Sequence, residues 1–151
     1  MHKIYDIRED TDRVEKIERA GRSASPWGLV AEHGPFGSPE WWTALADGRI
    51  PLYTVNGVIC RVYMTGQAAD WAEFEIDAQG ELSSWNCMTS GGPGGSPERI
   101  AKGVLYEVGR PVLLKYVHQR LQQALPGKSF VKTVLEIWIG DHRAAGDREP
   151  R

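Results

Sequence analysis

The stretch VLLKYVHQRLQQALPGKSFVKTVLEIWI, residues 112 to 139, decides how the rest of the chain is read. In its first limb Val112, Leu114 and Tyr116 share one parity and Leu113, Val117 and Leu121 the other. In its second limb Val131, Thr133, Leu135, Ile137 and Ile139 oppose Lys132, Val134, Glu136 and Trp138. Alternation with period two marks strands, whose successive side chains point to opposite faces. Between the limbs, Leu125-Pro126-Gly127-Lys128 supplies a turn, because Pro fixes φ ahead of a Gly that accepts a positive one. The stretch predicts a long hairpin on which the earlier elements pack.

Working outward from the hairpin, Ile50 to Met88 reads as a three-stranded meander. Val58, Cys60, Val62 and Met64 form the drier parity of the first strand, against Ile59, Arg61 and Tyr63. Ala72, Phe74 and Ile76 alternate with Trp71, Glu73, Glu75 and Asp77 in the second, the cleanest alternation in the chain. Ala78-Gln79-Gly80 has hairpin-turn length and leads into a shorter third strand, Leu82 to Met88. The loop Thr89 to Gly95 follows, and Ser96-Pro97-Glu98 starts a helix that runs through Ile100 and Leu105 to Gly109.

Three strands, a helix and two strands is an order that resembles the five-stranded OB barrel. The expected class is thus mainly β with short helices, an OB-like barrel over residues 50–140, with an SH3-like barrel or a small α+β sheet as the alternatives. Residues 1–49 are expected as a helical extension and strap packed on the barrel, and 141–151 as a disordered polar tail. Within the extension, Ile7, Val14 and Ile17 fall on one side of a short charged helix over Asp10 to Ala20. Ser38-Pro39-Glu40 caps a second helix through Trp41, Trp42, Leu45 and Ala46, which Asp47-Gly48 stops. At least one of the two adjacent tryptophans is expected to anchor that helix in the core.

A chain of 151 residues with 41% hydrophobic content can bury a core as one domain without metal or disulfide staples. Its formal net charge of −2 gives no general attraction to nucleic acid or to an anionic membrane. Cys60 and Cys87 lie in separate strands without CxxC spacing, no charged-then-apolar leader precedes them, and a cytoplasmic protein with free thiols is expected. No apolar run approaches the ~20 residues of a membrane span.

Chemical motifs are weak. The loop Ser90 to Ser96 is glycine-rich and precedes a helix start, but it lacks the Gly-Lys-Ser/Thr ending of a phosphate cradle, and Pro97 removes an amide. His2, His33, His118 and His142 show no i,i+4 pair for a metal, and Gly-x-Ser-x-Gly is absent. Neither catalysis nor a cofactor is expected. If the dry parities face the core, the opposite face displays Arg61, Tyr63, Trp71, Glu73, Glu75, Lys115, Glu136 and Trp138. Trp, Tyr and Arg dominate the energetics of protein interfaces. The leading expectation is therefore a binding module for a protein partner or for self-association, using Arg61, Tyr63, Trp71, Trp85, Lys115 and Trp138. The alternative is a single-stranded nucleic-acid or nucleotide binder, with Arg61, Lys115, Arg120 and Lys132 on the backbone and Tyr63, Trp71 and Trp85 stacking bases. Glu73, Glu75 and Asp77 would repel phosphates and count against it.

Overall fold

A computed structural model describes residues 1–22, 33–66, 71–88, 106–125 and 128–141. The glycine-rich loop, the helix expected through Ile100 and Leu105, the Pro126-Gly127 turn and the tail beyond Asp141 lie outside the described residues. The elements are β1 (His2–Asp6), a 3-10 turn (Ile7–Glu9), α1 (Thr11–Arg22), α2 (Pro39–Ala46), β2 (Tyr53–Thr65), β3 (Trp71–Ala78), β4 (Glu81–Asn86), β5 (Pro111–Leu125) and β6 (Lys128–Ile139). The protein is mainly β with short helices, as expected. The strands form one six-stranded antiparallel sheet in the order β1-β6-β5-β2-β3-β4.

That order corrects the expected five-stranded barrel. The extra strand is β1, which pairs antiparallel with β6, Tyr5 opposite Ile137 and Asp6 opposite Glu136. Met1 to Asp6 was expected within a helical extension because its charges mask a short apolar pattern. Tyr5 and Ile7 are fully buried, and these two side chains fix the segment in place. Among the described residues no helix is long and apolar enough to cross a membrane.

By its internal contacts the chain divides into two compact units. The first comprises 1–6, 54–114 and 136–151. Its core is Tyr5, Ile59, Ala72, Phe74, Ile76, Trp85, Tyr106, Val112, Leu114, Ile137 and Ile139. In β3 the expected alternation holds throughout, with Ala72, Phe74 and Ile76 buried. In β2 it breaks at a bulge. Ile59 stands opposite Ile76 and Arg61 opposite Glu75, so Cys60 is the inserted residue. The insertion turns Ile59 into the core while Val58 and Cys60 are exposed; beyond it Val62 and Met64 face Phe74 and Ala72, as the alternation requires. Gly57 is obligatory for a separate reason: a Cβ there would overlap the Asp77 carbonyl of the neighbouring strand. Behind β4, the Tyr106 hydroxyl accepts from the Met88 amide at 3.0 Å and donates to the Met88 carbonyl at 2.5 Å.

The second unit comprises 7–53 and 115–135. Here the expected α2 is borne out in detail. Ser38 Oγ accepts the Trp41 amide at 3.3 Å, Pro39 opens the helix and Asp47 closes it. Trp41 is the anchor, buried against Phe36 with ring centroids 4.5 Å apart. Trp42 stays half-buried, and the Arg8 guanidinium lies 4.1 Å from its ring centroid. In α1, Asp10 Oδ1 accepts the Arg13 amide at 3.3 Å, and Val14 and Ile17 are half-buried, as their spacing predicts.

The hairpin spans both ranges, and its first limb departs from simple alternation. Val112 and Leu114 are buried, and the next buried positions are Val117 and Gln119. Even positions face the core before Lys115 and odd positions after it, so Tyr116 parts from the parity of Val112 and Leu114. In the second limb Thr133, Leu135, Ile137 and Ile139 are all buried, as expected, but Val134 of the opposite parity is buried too, so both faces of the strand are covered at that point.

Candidate functional site

Of the residues expected on the displayed face, the first unit brings together Arg61 and Tyr63. The Arg61 guanidinium lies 4.3 Å from the Tyr63 ring centroid. Across the pair of strands Arg61 stands opposite Glu75 and Tyr63 opposite Glu73. Trp71 holds the register position opposite Thr65. Trp138 lies on β6 in the same unit; its indole N–H donates to Glu136 Oε1 at 2.8 Å and the Lys3 ammonium sits 5.5 Å from its ring centroid. Lys3 also donates to the largely buried Asp6 carboxylate at 2.8 Å. Trp85 is placed differently from the rest. It pairs with Phe74, is only 7% exposed and donates its indole N–H to Ser83 Oγ at 2.8 Å, so it supports the sheet from the core side.

The electrostatics of this face are acidic. Glu73 and Glu75 are half-buried on β3, with Asp77 exposed beyond them. Cys60 registers that field. Its thiol donates to Glu75 Oε1 at 3.4 Å, and desolvation, then the hydrogen bond and charge of Glu75, then the charge of Asp77 push its pKa up. Cys87 is pushed up to about 12 by burial and by Glu73. Both thiols are free.

The second unit holds a surface that the sequence reading missed. Tyr53 at the start of β2 stacks on Tyr116, with centroids 5.3 Å apart and planes at 21°, and on His118 at 4.5 Å and 25°. His118 in turn meets Phe130 at 5.6 Å, and the Lys132 ammonium lies 5.5 Å from the Tyr116 centroid. Three strands thus contribute one row of rings. Most of it is open to solvent: Tyr53 is 39% and Phe130 51% exposed, His118 and Lys132 are exposed, and Tyr116 at its centre is half-buried. Lys115, the remaining expected residue, is half-buried in this unit beside Tyr116 in sequence. Beneath the row, Gln119 and Thr133 are buried and joined by a 2.6 Å hydrogen bond from Thr133 Oγ1 to Gln119 Oε1. This bond ties β5 to β6 under the rings and satisfies two polar groups that would otherwise be costly to bury.

Among the described residues no group of three or more His, Cys, Asp or Glu could hold a metal ion. A hollow of about 480 Å³ in the second unit is lined by His33, Gly34, Pro39, Glu40, Thr43 and Arg49. What the described surface offers is aromatic and charged area for contact.

No curated protein matches the chain. A family model does, described as Immunity protein RhsI2 and matching residues 1–140, and the chain therefore belongs to the RhsI2 immunity protein family.

Proposed function

We propose that this protein is a non-catalytic inhibitor that binds a cognate Rhs toxin directly and protects the cell that makes it. The observation that carries the reading is the family match, which runs through every described strand and helix. Exposed rings and cations on rigid strands support it, because a sheet holds such side chains in place at low entropic cost to binding. Arg61, Tyr63, Trp71, Lys115 and Trp138 are proposed only as contacts at the margin of the interface, with Trp85, buried opposite Phe74, acting through packing. The free thiols of Cys60 and Cys87 favour a reducing cytoplasm as the place of action.

A single-stranded nucleic-acid ligand gains no support. Its proposed stacking residue Trp85 is buried, and the Arg61 face carries Glu73, Glu75 and Asp77.

Co-expression tests the reading. Cells producing the cognate toxin domain should stop growing, and cells producing it together with this protein should grow, with a stoichiometric complex recovered on purification. Continued arrest with both proteins soluble and folded would refute it.

A further inference from the structure

The hairpin between Lys115 and Leu135 contains Lys115, Arg120, Lys128 and Lys132 and not one Asp or Glu, in a chain whose acids outnumber its bases, 20 to 18. The exposed aromatic row lies on this same hairpin, together with Tyr53. Two properties of an interface core thus coincide: preformed rings with little rotamer freedom to lose, and a hairpin beneath them whose own charged residues are all basic. Solvated rings at this spacing leave apolar area in water that a partner would cover.

We infer that the Tyr53, Tyr116, His118 and Phe130 row, edged by Lys132, is the surface on which the toxin docks, and that the toxin presents an acidic face to it. This inference rests on the toxin-inhibitor reading and deepens it by naming the surface and the partner's charge. Aromatic side chains insert between or stack on toxin side chains, while the hairpin cations steer and orient the encounter. Because Arg120 and Lys132 are exposed, their contribution is screened as ionic strength rises through the range where the Debye length falls from ~10 Å to ~3 Å.

The test is calorimetric titration of the intact protein with catalytically inactivated cognate Rhs toxin, at low and at high salt. The double variant Tyr53→Ala/Phe130→Ala should lose affinity by about 30-fold or more, the size of a hot-spot loss. Lys132→Glu, which removes no ring, should weaken binding several-fold at low salt and much less at high salt. Circular dichroism and unfolding curves establish that each variant is folded; should the double variant fail to fold, Lys132→Glu alone decides. Wild-type protein that binds the toxin while folded ring and charge variants bind equally well, at both salt concentrations, would overturn the inference and leave the inhibitor reading standing. Wild-type protein that does not bind the toxin at all would overturn both. Two further results would overturn it: a self-association of the wild type that the ring variant abolishes with toxin affinity unchanged, or a salt-sensitive quenching by a single-stranded oligonucleotide in the same circumstances.

Discussion

Phe74 and Phe130 are the same side chain in two regions that use it in opposite ways. Phe74, in the first unit, is fully buried in a core whose outer side mixes acids with its rings and cations: Arg61 on Tyr63, Trp138 on Glu136, Lys3 on Asp6. Phe130, in the second, is half exposed at the end of a row of rings with basic residues along the hairpin. Burial makes an aromatic ring a stabiliser; the same ring left in water beside others is apolar area held ready for contact. The difference is between a region where aromatic area holds the fold and one where it is available to a partner.

The sharpest way to break this comparison is to delete both rings in turn. Phe74→Ala should destabilise the protein by about 3–5 kcal/mol in urea unfolding, through the lost transfer energy and the cavity left beside Tyr106 and Trp85. Phe130→Ala should leave unfolding within about 0.5 kcal/mol of wild type, as exposed substitutions usually do. Its toxin affinity should nevertheless fall about tenfold or more in calorimetric titration. Comparable destabilisation by both would erase the distinction.

Next in size is the support under the aromatic row. Thr133→Val keeps the shape of the side chain and removes the hydroxyl that donates to Gln119. With the Gln119 amide oxygen left buried and unpaired, stability should drop by about 1–3 kcal/mol, read from the urea midpoint at unchanged slope. Toxin affinity should follow only so far as the rows of rings shift. On the first unit, Arg61→Ala should cost the toxin complex no more than a few-fold, because the guanidinium is held on Tyr63 opposite Glu75 and rim contacts contribute little. A loss as large as that of Phe130→Ala would move the binding surface to the first unit.

The smallest effect reads the acidic field itself. Glu75→Gln removes a negative charge that raises the Cys60 pKa. The thiolate should then be easier to form, and Cys60 should alkylate faster at pH 8, while Cys87, held at about 12, stays slow in both proteins. Mass spectrometry of iodoacetamide-treated protein distinguishes the two thiols. An unchanged Cys60 rate would remove the evidence that this face is electrostatically unlike the hairpin.

Some of this was legible in the residues. The alternation of Ala72, Phe74 and Ile76, the limbs of the final hairpin and the Ser38-Pro39-Glu40 cap each follow from a local rule, and each stands in the structure. The failures occur where a local rule is interrupted. A single inserted residue at Cys60 exchanges the faces of β2, and the switch between Leu114 and Val117 does the same in β5; neither leaves a mark on a period-two pattern. That second switch carries Tyr116 to the exposed side with His118, which is why the aromatic row was missed. Its members, moreover, come from positions 53, 116, 118 and 130, and no window of sequence contains them all. The strand at Met1 to Asp6 escaped for a related reason: its worth lies in Tyr5 packing opposite Ile137, far along the chain. One sequence signal for the site was present throughout, the lack of any acid from Lys115 to Leu135 in an otherwise mixed-charge chain.

Hydroxyl-radical footprinting of the protein alone and in complex with inactivated toxin tests the central claim most directly, since it reads side-chain exposure residue by residue. Tyr53, Tyr116, His118 and Phe130 should be oxidised readily in the free protein and protected together in the complex, with Tyr63 unchanged or weakly affected. Protection of Tyr63 and Trp138 with the four hairpin-row residues still reactive would contradict the account.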